Sequence, residues 1–332
     1  IMSSISRRGL LAGGTAVGTF AATASFAQPD QIAVTHDMRG KSILITGCSS
    51  GFGRLMAEDF ARKGAKVFAT MRNLPRPEAG ELEALANTEK LDLHVIEIDV
   101  QSDEQVTAGV AKAEEIAGGA IDILINNAGI GYAGPIELQD MIATQLIFDT
   151  NVYGPHRMSR AVLPAMRRAK NGLIFNISSQ LGRVIVPSAG HYSPTKFALE
   201  AMSEAMAYEL VPHGVEVCVI EPGGYPTKVW VNRNKLASEL KERLNFDERA
   251  GYPQLVARMG QEDGTRRTAD PMDVPNAIAE IISMPPGTRP LRKAVHPGSK
   301  PQIAINDLTA KVQVDWLGET AFGPWIKDVH NV

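Results

Sequence analysis

The 332-residue sequence predicts an α/β fold of one domain, with helices wound on both faces of a mainly parallel seven-stranded sheet. Three observations predict it. Short apolar runs rich in β-branched residues alternate along the chain with stretches of helical character. Several of those runs end in small, amide or hydroxyl residues, as strands of a parallel sheet do where they present chemistry. The first run is followed at once by a glycine-rich turn. A content of 44% hydrophobic and 21% charged residues fits an ordinary globular chain with a large core.

In chain order, residues 1–27 stand apart. Ser6-Arg7-Arg8-Gly9-Leu10-Leu11 precedes an Ala/Gly/Thr-rich apolar run ending Ser25-Phe26-Ala27. A basic start, a moderate apolar segment and small residues at a cut site read as an export signal, with cytoplasmic retention of a polar tail as the alternative. Gly and Thr dilute the run too far for a stable membrane span. Residues 28–40 read as a linker.

The first strand is Lys41–Thr46, and Gly47-Cys48-Ser49-Ser50-Gly51-Phe52-Gly53 leads from it into a helix over 54–63. Strand, glycine turn and helix together form a phosphate cradle: glycine lets the backbone come close, and the helix N-terminus offers unpaired N–H groups. The second strand, Lys66–Thr70, ends Met71-Arg72-Asn73 with no acid for ribose hydroxyls. Arg72 suits a 2′-phosphate, so the pattern favours NADP(H) over NAD(H). A helix over 79–86 leads to a third strand, Leu93–Ile98, which ends at Asp99-Val100, placed to meet an adenine ring or to cap the helix over 103–117.

The fourth strand, Ile121–Ile125, runs into Asn126-Asn127-Ala128-Gly129, where small and amide residues allow close approach to a ligand. Helices over 137–148 and 151–169 follow, then a fifth strand, Leu173–Ile177. The next stretch carries Ser178, Ser179, Tyr192 and Lys196. Tyr192 and Lys196 are four apart and share a helix face. A sixth strand, Val215–Ile220, ends before Pro222-Gly223-Gly224. Residues 225–268, including Thr227, break the rhythm and read as a lobe covering a substrate. A helix over 273–284 and a seventh strand, Leu291–Val295, complete a domain spanning 41–298. Residues 299–332 form an extension carrying Trp316, Phe322 and Trp325.

Other chemistries find less support. A net charge of −3 gives no reason to expect nucleic acid. The histidines lack ligand spacing for a metal, and Cys48 and Cys218 read as buried thiols.

These motifs resemble the short-chain dehydrogenase/reductase family in its single-domain Tyr-x-x-x-Lys form. The resemblance rests on TGCSSGFG at 46–53, NNAG at 126–129, Asn151, Ser179 and Tyr192-Ser193-Pro194-Thr195-Lys196, and it covers about residues 40–298. It implies a Rossmann fold and an oxidoreductase acting on a ketone or alcohol, with Asn151, Ser179, Tyr192 and Lys196 catalytic. The family spacing selects Ser179 over Ser178. It also implies cofactor contacts from Gly47, Ser49, Ser50, Gly51, Phe52, Gly53, Arg72, Asp99, Val100, Asn126, Ala128, Gly129, Tyr192, Lys196, Pro222, Gly223 and Thr227. The start of the chain is similar to twin-arginine export signals, which imply a periplasmic or otherwise exported protein.

From residue chemistry, a Lys196 ammonium near Tyr192 is expected to lower the phenol's pKa, and Asn151 to position a relay water. Val184, Ile185 and Val186 suggest a lipophilic carbonyl or alcohol substrate. A homodimer or homotetramer is expected from the resemblance. An epimerase or lyase with retained nicotinamide, and a non-catalytic nucleotide-binding protein, are the alternatives.

Overall fold

The computed structural model describes residues 36–332, so the expected export signal lies outside the described residues. The strands are β1 (Ser42–Ile45), β2 (Lys66–Met71), β3 (Leu93–Glu97), β4 (Ile123–Asn126), β5 (Gly172–Ile177), β6 (Val215–Pro222) and β7 (Arg292–Val295). They form one sheet in the order β3-β2-β1-β4-β5-β6-β7, and every pairing is parallel. The predicted α/β Rossmann fold with seven strands is therefore the fold observed.

The helices, in chain order, are α1 (Gly51–Arg62), α2 (Pro77–Glu89), α3 (Asp103–Ala117), α4 (Met141–Phe148), α5 (Gly154–Ala169), α6 (Tyr192–Leu210), α7 (Val229–Arg243), α8 (Phe246–Gly251), α9 (Pro253–Arg258), α10 (Asp273–Ser283), α11 (Gln302–Leu317) and α12 (Gly323–Val329). Strands β1, β4 and β5 are buried along their whole length, which is why they read as continuous apolar runs. The pleat still sorts their side chains. Ile43 and Ile45 pack with Phe60 of α1, Leu82 of α2 and Ile278 of α10 on one face. Leu44 packs with Val106 of α3, Met158 of α5 and Leu210 of α6 on the other.

Local chemistry sets the ends of these elements. Ser102 accepts from Gln105 N at the start of α3, and Gly118 closes that helix at φ 77°. Both borders of the domain are packed. Met38 is fully buried and its N–H donates to Lys63 O at 2.9 Å. At the other end, Arg183 Nη2 donates to Thr309 Oγ1 of α11 at 2.7 Å, and the Tyr208 hydroxyl meets His330 Nε2 at 2.7 Å.

The chain runs β1, β2, β3 in one direction, then crosses to β4 on the far side of β1. That reversal opens a crevice at the carboxyl ends of β1 and β4, where ligands bind in sheets of this kind. The glycine turn, the Asn-Asn-Ala-Gly segment and the Ser179 loop all leave the sheet at that edge.

Candidate active site

The glycine turn is shaped by close contact. Gly47 and Gly51 have φ of 75° and 58°, and a Cβ on Gly53 would lie 2.4 Å from Gly47 O and 2.5 Å from Asn127 Nδ2. Ser50 caps α1 without a side-chain bond to it, and the first turn of α1 carries no acid. Unclaimed N–H groups, a free hydroxyl and no competing negative charge fit the pyrophosphate of a dinucleotide. Asn127 holds the cradle: its Nδ2 donates to Thr46 O at 2.8 Å, and Thr46 Oγ1 accepts from the N–H groups of Asn127 and Ala128. Thr227 lies against Gly51, its Cβ 3.5 Å from where a Cβ of that glycine would be.

At the tips of β2 and β3, Arg72 Nη1 lies 3.9 Å from Asp99 Oδ2. Arg72 is half exposed and free to turn toward a phosphate. Val100 is buried: its side chain packs where a Cβ on Gly154 would meet it at 2.8 Å, and its carbonyl accepts from Arg157. Its side chain is therefore a packing group. The Asn126 side chain is held within the sheet. It pairs in register with Asn176 of β5, and its buried Nδ2 donates to Asn176 Oδ1 at 2.8 Å. The amide that reaches the glycine turn belongs to Asn127, which the sequence reading left aside.

Asn151 sits on a π-helical turn, Asp149–Tyr153, between α4 and α5. Such turns often mark functional sites. Its fully buried side-chain amide bonds to the backbone of Ile130 and to the Thr195 hydroxyl. A Cβ on Gly129 would lie 3.4 Å from Asn151 Oδ1 and 3.8 Å from Lys196 Nζ, so these three residues converge.

The reactive groups meet at the tip of β5. Ser179 caps a short 3-10 turn; its Oγ accepts from Leu181 N at 3.1 Å and donates to Pro222 O at 3.5 Å. Ser178 is buried with its hydroxyl unpartnered among the described residues, and it points toward Gly182 instead. Lys196 Nζ donates to Ile177 O at 2.8 Å and lies 5.7 Å from the centre of the Tyr192 ring.

Burial dominates the electrostatics of both groups. Burial raises the Tyr192 phenol above its ordinary value, while the neighbouring Ser179 hydroxyl and the charge of Arg233 pull it down. Burial also depresses Lys196 to about 8, opposed by the Glu200 carboxylate. With a pKa of about 8, Lys196 still carries its ammonium at neutral pH, 5.7 Å from the centre of the Tyr192 ring. His191 packs edge-on against Phe148, with ring centres 5.9 Å apart. Both cysteines are free and buried, and burial pushes Cys48 up to about 12.

Tyr225 was not legible in the sequence as part of this region. It is buried, its hydroxyl donates to Asp273 Oδ2 at 3.1 Å, and its ring meets Phe52 and His296 edge-on, each at 5.4 Å. It ties the lobe to the glycine turn.

The cradle and the Ser179, Tyr192 and Lys196 cluster define a nucleotide-dependent oxidoreductase. Residues 41–237 match the family described as short chain dehydrogenase, and the chain belongs to that family. It is 36% identical over 248 residues to a 3-ketodihydrosphingosine reductase of Bacteroides thetaiotaomicron, covering 74% of this chain and 85% of the relative. It is 35% identical over 297 residues to retinol dehydrogenase 8 of Homo sapiens, covering 84% and 86%. A solved short-chain dehydrogenase from Streptomyces avermitilis superimposes with a TM-score of 0.64 at 28% identity, covering 82% of this chain and 93% of that one.

Proposed function

We propose that this protein interconverts a carbonyl compound and its alcohol, using NADP(H) in preference to NAD(H). The observation that carries the reading is the gathering of the Ser179 hydroxyl, the Tyr192 phenol and the Lys196 ammonium at the carboxyl end of β5, the sheet edge that the glycine turn also leaves. When bound, the nicotinamide supplies or accepts the hydride.

The chain's own residues handle the proton. Ser179 donates to the substrate oxygen and holds it beside the phenol. Tyr192, kept protonated by burial, gives its proton to that oxygen in reduction and takes it back in oxidation. Lys196 is anchored through Ile177 O and keeps further N–H groups for the nicotinamide ribose. Arg72 pairs only loosely with Asp99 and meets the 2′-phosphate that distinguishes NADP(H).

The names of the two relatives, a sphingoid-base ketone reductase and a retinol dehydrogenase, support a substrate with a lipophilic body. Exposed Ile185 and Val186, in the loop before α6, are in keeping with that. The same reading has the protein acting as a homodimer or homotetramer, which light scattering tests. It also has residues 1–27 directing export. A mature N-terminus near Gln28 in an exported fraction supports this, and an intact cytoplasmic N-terminus counts against it.

The test of function is a panel of ketones and alcohols, assayed with both cofactors in both directions. Tyr192→Phe is expected to lower kcat by about 10³-fold, with NADPH affinity within a few-fold of wild type. Retained turnover in that variant overturns the proton-transfer role. Product formation with no net change in NADP(H) would indicate an epimerase or lyase instead.

A further inference from the structure

One arginine of the 225–268 lobe stands beside the reacting phenol and a second packs on the same indole as the first, and the hydride chemistry uses neither. Arg233 of α7 shares the space around Gly131 with Tyr192. A Cβ on that glycine would meet Arg233 Cδ at 3.6 Å and Tyr192 Cδ2 at 3.7 Å. Arg233 Nε donates to Tyr132 O at 3.2 Å, and among the described residues its terminal nitrogens have no bonded partner.

Arg267 lies behind it. Its guanidinium is 3.8 Å from the centre of the Trp230 ring, and that of Arg233 is 5.4 Å from the same ring. The indole is held in place, with Nε1 donating to Tyr225 O at 2.7 Å. Arg267 also covers Gly224, where a Cβ would lie 2.3 Å from Nη1, and its buried Nε has no partner among the described residues. The nearest counter-charge is Glu262, whose carboxylate is 4.0 Å from Arg267 Nη2.

Two guanidinium groups sharing one indole repel each other, and the single Glu262 carboxylate, 4.0 Å from Arg267, leaves the group with a net positive charge. Partly desolvated donors without acceptors are costly, and an arriving anion relieves both the repulsion and the unmet bonding. A planar carboxylate matches the guanidinium fork.

We propose that the substrate bears a carboxylate, and that Arg233, backed by Arg267, binds it while Tyr192 acts on the carbonyl. The substrate class is then an oxo acid and its hydroxy acid. This inference rests on the oxidoreductase reading above and narrows its substrate.

The test pairs each oxo acid with its neutral counterpart, 4-oxopentanoate against 2-pentanone and 3-oxobutanoate against butanone. Wild type is expected to prefer the acid by about tenfold or more in kcat/KM, the worth of one charge-assisted contact. Arg233→Gln should cost the acid about tenfold more than it costs the ketone, and Arg233→Lys should recover part of that difference.

Calorimetry of butyrate and butyramide on NADP-loaded protein reads recognition without turnover. Wild type should bind butyrate more tightly, and Arg233→Gln should erase the difference. Equal binding of the two probes overturns the inference. So do equal losses for acid and ketone, which would mean that Arg233 acts only on the phenol. A loss confined to NADP(H) affinity also overturns it, assigning the arginines to a cofactor phosphate. If butyrate binding depends on Arg233 while no compound is turned over, the carboxylate site stands and the oxidoreductase reading falls.

Discussion

Asn151 grips the backbone of Ile130 from both sides: its Oδ1 accepts from the Ile130 N–H and its Nδ2 donates to the Ile130 carbonyl, each at 2.9 Å. One buried amide thereby locks the segment that follows Gly129 against the helix carrying Thr195 and Lys196. Asn151→Ala removes both bonds and leaves their partners unmet. It is expected to lower the unfolding free energy by about 2–4 kcal/mol in denaturant titration. The loss in kcat should exceed any loss in NADPH affinity, because the segment borders Tyr192 rather than the phosphate cradle.

The buried Lys196 makes stability depend on pH in a stated direction. Its folded pKa, about 8, lies below its ordinary 10.5, so between those values the unfolded chain holds more protons at this site than the folded one. Stability from this residue therefore rises as pH increases from about 8 toward 10.5. Lys196→Met abolishes the contribution. Unfolding free energies measured across that window should rise more steeply in wild type than in the variant, by up to about 1.4 kcal/mol per pH unit. Parallel pH profiles would show that the ammonium is not desolvated in the folded protein.

Two glycines separate function from propensity. At Gly53 a Cβ would strike Gly47 O at 2.4 Å, so Gly53→Ala must open the glycine turn. NADPH affinity should fall by about tenfold or more, corresponding to about 1.4 kcal/mol. Gly80 is exposed in α2 with nothing within 4 Å of its Cβ position. Gly80→Ala should raise stability by about 0.5–1 kcal/mol through helix propensity, with no change in kinetics.

Arg72 is expected to set the cofactor ratio. Arg72→Gln removes the guanidinium that pairs with Asp99 at 3.9 Å. The ratio of kcat/KM for NADPH to that for NADH should drop by about tenfold or more, the value of one charge-assisted phosphate contact. An unchanged ratio would remove Arg72 from the phosphate site.

The sheet was legible because its central strands are buried on both faces and must be apolar along their length. The glycine turn was legible because only glycine tolerates such close approach at Gly53. Short elements were harder. Helices α8 and α9 each span six residues, too few to show a period, although Asn245 and Glu248 form a capping box that signals where α8 begins. Helix α11 has no continuous buried face, since Gln302 is its one buried residue, so apolar spacing did not announce it. At the end of β4, one residue of register decided between neighbouring amides: Asn126 turns into the sheet toward Asn176, and Asn127 reaches the glycine turn.

The sequence by itself determined the fold class and the glycine turn, because burial period and backbone freedom are written locally along a chain, and its resemblance to a family singled out Ser179, Tyr192 and Lys196. Tertiary structure alone decided the electrostatics of the site. It showed Lys196 depressed, the phenol raised, Asn151 spent on Ile130, and Arg233 brought from α7 to stand beside Tyr192. Desolvation and charge act through space, so the distances that govern them exist only once the lobe has folded over the sheet edge.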